Sequence, residues 1–99
     1  MRKIEREMIA AIKSGKAWKN SNTSISMHLD ARGFLSPNIF LHGNHIATVE
    51  NGVLKVNAYT LGKWPTPTTK SRLRALGANV ATKAGVTYLN GARVEGGTA

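Results

Sequence analysis

Two dipeptide turn signals constrain this chain more than any other feature of its sequence. Gly43-Asn44 and Asn51-Gly52 accept the positive φ angles that two-residue hairpin turns require. Apolar, β-forming residues flank both of them, such as Phe40-Leu41 before the first and Val53-Leu54 after the second. The sequence therefore predicts three consecutive antiparallel strands, a β-meander.

The positions of the turns predict a strand register. With residues 43–44 and 51–52 as loops, Phe40 is expected to pair with Ala47, and Val49 with Leu54. Side chains alternate between the faces of a sheet, so one face is predicted to carry the core set, namely Phe40, Ala47, Val49, Leu54 and Val56. The second face then carries an apolar group, Ile39, Leu41 and Ile46, which the C-terminal hairpin, a second copy of the chain or a partner protein should cover.

A fourth strand is predicted over residues 22–29, where Ile25, Met27 and Leu29 alternate with polar residues. If residues 30–33 form a four-residue turn, Leu29 opposes Phe34. All four strands then present their apolar residues to one core face.

Helices are predicted on both sides of this meander. Residues 2–14 carry an apolar stripe at helical spacing, Ile4, Met8, Ala11 and Ile12, and Gly15 is the natural stop. Residues 60–69 are expected to form a loop, and a short second helix is expected to begin at Thr68 or Thr69. Residues 86–94 predict a closing hairpin around Asn90-Gly91. The expected fold is α+β, with an N-terminal helix, a four-stranded antiparallel meander, a short second helix and a C-terminal β-hairpin.

Length and composition narrow the class of protein. Ninety-nine residues form one domain, predicted over residues 1–95 with a flexible tail at 96–99. Cysteine is absent, which excludes disulfides and thiolate metal sites. No apolar run approaches the roughly 18 residues of a membrane span, and charged residues at 5–7 argue against a signal peptide. We therefore expect no membrane association and a location in the cytoplasm.

Residues for catalysis are scarce. The five acids are scattered, so no pair is predicted to share acid and base roles. His42 and His45 are expected to be cross-strand neighbours, but two ligands without a third make a weak metal site. Phosphate loops and nucleophile motifs are absent. The prediction is a protein that is not an enzyme, with no metal and no cofactor.

Charge gives the clearest functional signal. Fourteen Lys and Arg stand against five acids, a formal net charge of +9, and residues 51–94 contain seven bases and no acid. Such imbalance favours a polyanionic partner, nucleic acid first. The alternative is a basic surface that only keeps the protein soluble.

The candidate nucleic-acid-binding residues are the two tryptophans, the lysines beside them and the basic residues at the start of the second helix. They are Lys16, Trp18, Lys19, Lys63, Trp64, Lys70, Arg72 and Arg74. A tryptophan next to lysines can stack on a base while the lysines meet phosphates, and a helix N-terminus that follows threonines can hold a phosphate. The alternatives are core-packing tryptophans and an ordinary capped helix with exposed bases.

Three segments carry a family resemblance: His42–Ala47, Trp64–Gly77 and Gly85–Gly91. Together they resemble small proteins of tailed bacteriophages that have a Leu-His-Gly-Asn hairpin, a Trp-x-Thr and Thr-Thr-x-Ser-Arg-Leu stretch and a closing hairpin. The resemblance implies a phage protein that acts in an infected bacterial cell, and it transfers no particular activity.

Two functional hypotheses follow. The first is a module that binds DNA or RNA largely independently of sequence, through phosphate contacts that weaken with salt. The second is a phage-encoded modulator that binds a host protein such as a polymerase, nuclease or defence factor, with the apolar group Ile39, Leu41 and Ile46 as contact area. Free strand edges also predict a possible homodimer.

Overall fold

Residues 2–94, the part of the chain that the computed structural model describes, confirm the predicted α+β class. The predicted tail at 96–99 and residue 95 lie outside this range. The elements in chain order are α1 (Lys3–Ser14), β1 (Trp18–Asn20), β2 (Thr23–Leu29), β3 (Leu35–Leu41), β4 (Asn44–Glu50), β5 (Val53–Val56), α2 (Ala58–Lys63), α3 (Pro67–Ala75), β6 (Val80–Lys83), β7 (Val86–Leu89) and β8 (Ala92–Arg93). The strands form two antiparallel sheets, ordered β1-β2-β3-β4-β5 and β6-β7-β8.

Three of these elements were not predicted. β1 and β6 each add a strand at an edge of a sheet, and α2 occupies part of the expected loop at 60–69. Asn57 begins α2, because its side chain accepts a hydrogen bond from the N–H of Thr60 at 3.2 Å. The element is only six residues long and contains Gly62, so it gives no helical periodicity in the sequence.

The start of α3 also differs from the prediction. The N-cap is Thr66, whose Oγ1 accepts from the N–H of Thr69 at 3.1 Å, rather than Thr68 or Thr69. Pro67 takes the first helical position, where its missing N–H costs no intrahelical hydrogen bond. Thr69 is 3% exposed and its hydroxyl bonds that of Thr66 at 2.9 Å. This side chain is therefore not on the surface.

The register between β4 and β5 is as predicted, with Val49 opposite Leu54 and Ala47 opposite Val56. Between β3 and β4 the prediction was wrong, because the loop residues are His42 and Gly43, at φ 52° and 78°. The Asn51-Gly52 and Asn90-Gly91 turns likewise have glycine second, with both φ angles positive. Phe40 consequently pairs with His45 instead of Ala47.

A β-bulge at the next step of the ladder recovers one residue of this two-residue shift. Ile39 pairs with Ala47, so Ile46 is the extra residue of β4, and both Ile46 and Ala47 are buried. Ile39, Leu41 and Ile46, predicted on the second face, are at most 3% exposed and belong to the core. Phe40, predicted in the core, lies on the open face, where its ring is 5.3 Å from that of His45.

The connection between β2 and β3 is one residue longer than predicted. Leu29 pairs with Leu35, and the Asp30 carboxylate accepts from the N–H groups of Arg32 and Phe34 at 2.9 and 3.1 Å. The Arg32 guanidinium and these N–H groups lower the pKa of Asp30 to about 2. Leu29 and Phe34, predicted on the core face, are exposed (67% and 64%), and so is Leu35 (59%).

The helices cover one face of the larger sheet. From α1, Met8 and Ala11 of the predicted stripe are buried, and Gly15 ends the helix in the left-handed conformation. Leu61 of α2, Leu73 of α3 and Val80 of β6 complete the core formed by Ile25, Ile39, Leu41, Ile46 and Ala47. Val49, Leu54 and Val56 are half-buried against it, as is Trp18.

One buried ion pair joins the first helix to the third. Arg72 Nη1 of α3 lies 2.8 Å from Glu5 Oε2 of α1, and both side chains are 4% exposed. Ser71 Oγ donates to the same carboxylate oxygen at 2.6 Å, and Arg72 Nε donates to Thr23 Oγ1 at 3.0 Å. Burial alone raises the pKa of Glu5, but the hydrogen bonds from Ser71 and Arg72 outweigh burial and lower it.

The observed register of β3 can be tested with substitutions at two neighbouring residues of that strand. We expect Ile39→Ala to lower the free energy of unfolding by about 2–5 kcal/mol, because it truncates a fully buried side chain. Phe40→Ala removes a half-buried ring from the open face, so its loss should be the smaller one. Urea unfolding of both variants measures the two losses of unfolding free energy. A larger loss for Phe40→Ala would contradict the observed register.

The buried ion pair predicts a large effect of a nearly isosteric change. Glu5→Gln should cost about 3–5 kcal/mol of unfolding free energy, because it leaves the Arg72 charge buried without a counterion. The matched control is Glu50→Gln, which removes the exposed pair with Lys55 (3.2 Å) and should cost no more than about 1 kcal/mol.

The same pair gives a pH dependence with a definite sign. Folding lowers the pKa of Glu5, so the contribution of its carboxylate to stability is complete above the usual value of 4.5 and is lost as the pH falls through the lower value of the folded state. The free energy of unfolding, measured at several acid pH values, should therefore fall more steeply with decreasing pH for the native chain than for Glu5→Gln. Equal pH dependence would rule out this role of the carboxylate.

Candidate nucleic-acid interface

The acid-free stretch at 51–94 forms β5, α2, α3 and the three-stranded sheet. Two of its seven bases are in ion pairs, Lys55 with Glu50 and Arg72 with Glu5. The remaining five form no ion pair within residues 2–94, and they are Lys63, Lys70, Arg74, Lys83 and Arg93. The structure therefore leaves most of the positive charge of this half uncompensated.

Two of these bases extend from α3 to the neighbouring edge strand β6. Lys70 Nζ donates to Thr82 Oγ1, and Arg74 Nε donates to the carbonyl oxygen of Val80 at 2.8 Å. Their spacing of four residues puts them on one flank of α3. Both cations are thus held beside the three-stranded sheet.

The outer face of that sheet carries two more bases around a tyrosine. Tyr88 pairs with Arg93 in register, and Lys83 lies on the same face by strand alternation, opposite the face that carries buried Val80 and Thr87. The Lys83 ammonium lies 5.9 Å from the centroid of the Tyr88 ring. Sequence reasoning missed Lys83, Tyr88 and Arg93, although the Asn90-Gly91 turn already places Tyr88 opposite Arg93.

The end of α2 repeats this combination of cation and ring. The Lys63 ammonium lies 5.8 Å from the ring centroid of Tyr59 and 4.8 Å from that of Trp64. Both rings are exposed, at 61% and 41%. Each arrangement is a cation–π contact of the exposed type.

A groove connects this end of α2 to the three-stranded sheet. It has a volume of about 190 Å³ and is lined by Gly62 and Pro65, which flank Lys63 and Trp64, together with Gly85, Val86, Thr87, Arg93 and Val94. We call the joined set of bases and rings the basic aromatic surface. It consists of Tyr59, Lys63, Trp64, Lys70, Arg74, Lys83, Tyr88 and Arg93.

Four of the eight predicted site residues belong to this surface: Lys63, Trp64, Lys70 and Arg74. Arg72 does not, because its guanidinium is buried in the pair with Glu5 and cannot contact a phosphate there. Trp18 is half-buried and packs against the core, in register with Ile25. Lys16 and Lys19 flank it at β1, the opposite edge of the large sheet from β5, which precedes α2.

The open face of the large sheet forms a second, polar groove of about 400 Å³. Across it runs a row of hydrogen-bonded side chains, His28, Asn38, Thr48 and His45. His42 lies in the turn, so the expected pairing of His42 with His45 was wrong. Within residues 2–94 no group of three or more His, Cys, Asp or Glu is placed to hold a metal ion. Because these four side chains hydrogen-bond one another, whereas the five bases have no acidic partner within residues 2–94, we place the candidate site on the basic aromatic surface.

The fold and this surface define a small basic α+β protein with exposed rings beside unpaired cations. The chain matches the model of the Kyanoviridae Gp96 protein family over residues 1–96 and belongs to that family of cyanophage proteins. The resemblance to tailed-bacteriophage proteins is thereby confirmed. A search of curated proteins found no match, and neither did a search of solved structures. None of the helices within residues 2–94 has the length and apolar character needed to cross a membrane.

The polar row predicts the proton positions on two histidines. Thr48 Oγ1 donates its only proton to Asn38 Oδ1 at 2.7 Å, so His45 Nε2, 2.8 Å from that hydroxyl, must donate to it. Asn38 Nδ2 donates to His28 Nδ1 at 2.7 Å, so this nitrogen carries no proton. Long-range ¹H–¹⁵N NMR at neutral pH should show a protonated Nε2 on His45 and a bare Nδ1 on His28.

A pair of variants controls this measurement. Thr48→Val should change the ring ¹⁵N shifts of His45, whereas Ser26→Ala, on the same face and in register with Asn38, should leave them unchanged. A protonated Nδ1 on His28 in the native chain would contradict the direction of the row.

Proposed function

We propose that this cyanophage protein binds nucleic acid, DNA or RNA, through the basic aromatic surface and largely independently of sequence. The observation that carries the proposal is the set of five bases that form no ion pair within residues 2–94, on α2, α3 and the three-stranded sheet, where residues 51–94 supply no acid. Phosphates bound there would release counterions from the nucleic acid.

The contacts of the bases support phosphate binding over a purely structural role. Within residues 2–94, the ammonium groups of Lys63 and Lys83 contact only aromatic rings that are exposed or partly exposed, and such contacts are weak. Lys70 and Arg74 are oriented by neutral oxygens, which leave their charges uncompensated. A polyanion can therefore engage these cations without breaking any ion pair.

A second candidate, modulation of a host protein, has support from a different surface. The apolar group first assigned to it, Ile39, Leu41 and Ile46, is in the core. However, Leu29, Phe34, Leu35 and Val53 are 57–67% exposed around the loops that connect β2 to β3 and β4 to β5. Exposed apolar residues grouped in this way are typical of protein-binding surfaces. A location in the host cytoplasm and a possible homodimer remain predictions.

Salt titrations test the first proposal. Lys83→Gln/Arg93→Gln should weaken binding and reduce the slope of log K against log salt by about 0.7–0.9 for each phosphate contact removed. Fluorescence anisotropy with a labelled oligonucleotide at several salt concentrations measures both effects.

The matched control is Lys3→Gln/Lys13→Gln, which makes the same change in net charge on α1. Its slope should stay close to that of the native chain. Equal losses in both double variants would mean that net charge alone attracts the nucleic acid, and absence of binding at low salt would end the proposal. If the protein binds no nucleic acid, a pull-down from nuclease-treated host lysate tests the second candidate. Recovery of one host protein by the native chain but not by Phe34→Ser would favour it.

A further inference from the structure

We infer that the nucleic acid bound by the basic aromatic surface is single-stranded, with its bases stacked on Trp64, Tyr59 and Tyr88. This inference rests on the proposed function and adds to it the class of strand. The observation behind it is that two lysines of the surface lie over aromatic rings, Lys63 over those of Tyr59 and Trp64 and Lys83 over that of Tyr88.

Binding a duplex requires cations alone, because the faces of its bases are covered by their neighbours in the stack and rings on a protein surface cannot reach them. A single strand offers those faces. Every base has one, so stacking on aromatic side chains tolerates any sequence. Rings exposed at 61% and 41% within a basic surface therefore fit a single strand better than a duplex.

The ring faces are already occupied by cations in the free protein. Lys63 lies over both Tyr59 and Trp64, and Lys83 lies over Tyr88, with ammonium-to-centroid distances between 4.8 and 5.9 Å. A base that stacks on a ring takes the place of the ammonium group, and the displaced lysine is then available to a phosphate of the same strand.

The groove gives the strand a path between the two sets of rings. Gly62, Pro65 and Gly85 line it with small or rigid residues, and Arg93 stands at its wall. The end of α2 and the outer face of the three-stranded sheet thus form two stacking positions, and the groove with Arg93 in its wall lies between them. Trp18 contributes no such position, since it packs against the core.

The test compares labelled oligo(dT), oligo(U) and a DNA duplex, each of about 12 nucleotides or base pairs, by anisotropy at low salt. Both single strands should bind more tightly than the duplex, and the two single-strand arms distinguish DNA from RNA. Trp64→Ala should weaken single-strand binding by at least about fivefold, which corresponds to the lower end of measured stacking contributions. Trp64→Phe, which keeps a ring, should restore most of it.

Trp fluorescence gives a readout that does not depend on affinity. The chain has two tryptophans, so Trp18→Phe leaves Trp64 alone to report. Its emission should be quenched by oligo(dT) and hardly changed by the duplex. Tyr59→Leu, at a largely exposed position, repeats the affinity test should Trp64→Ala fail to fold.

The outcomes separate the inference from the proposed function. Equal or tighter binding of the duplex, with no response to Trp64→Ala or Tyr59→Leu, overturns the single-strand inference and leaves nucleic-acid binding in place. Lack of binding to all three oligonucleotides overturns both. We expect Lys83→Gln/Arg93→Gln to weaken binding of single strands and duplex alike. We expect Trp64→Ala to weaken binding of single strands only.

Discussion

The buried ion pair between Glu5 and Arg72 is the contact on which the placement of the helices depends. It joins residues 67 positions apart, and Thr23 and Ser71 complete its hydrogen bonds. A buried charge without its partner is strongly destabilising, so α1, the start of β2 and α3 are held in the one arrangement that keeps both charges satisfied. The pair thus determines how these elements are placed as well as how stable the fold is.

This interior contact also determines what α3 presents outside. Successive residues of an α-helix are rotated by about 100°, so positions two residues away point to roughly the opposite side. With Arg72 directed inward, Lys70 and Arg74 are directed away from the core, where they meet Thr82 and Val80 of β6. The inward arginine thereby leaves two bases beside the edge strand β6, and the proposed interface includes both.

Particular elements show how far the sequence could be used to predict the fold. The Asn51-Gly52 and Asn90-Gly91 turns fix their hairpins, because asparagine followed by glycine accepts both positive φ angles. The first hairpin offered two overlapping dipeptides, His42-Gly43 and Gly43-Asn44, and a local pattern does not show the bulge at Ile46 that moves the register by a further residue. The predicted site included Arg72, which is buried, and Trp18, which packs against the core, because a pattern of bases and rings does not reveal burial.

The sequence by itself determined the α+β class, the stripe of α1, two of the hairpins, the membership of a phage family and the acid-free, basic half. Each of these depends on neighbours along the chain or on composition alone. Only the tertiary structure decided which arginine is neutralised inside and which bases gather around the exposed rings. The physical reason is that pairing and desolvation of charges depend on contacts between distant residues, such as Glu5 and Arg72, which neither periodicity nor propensity encodes.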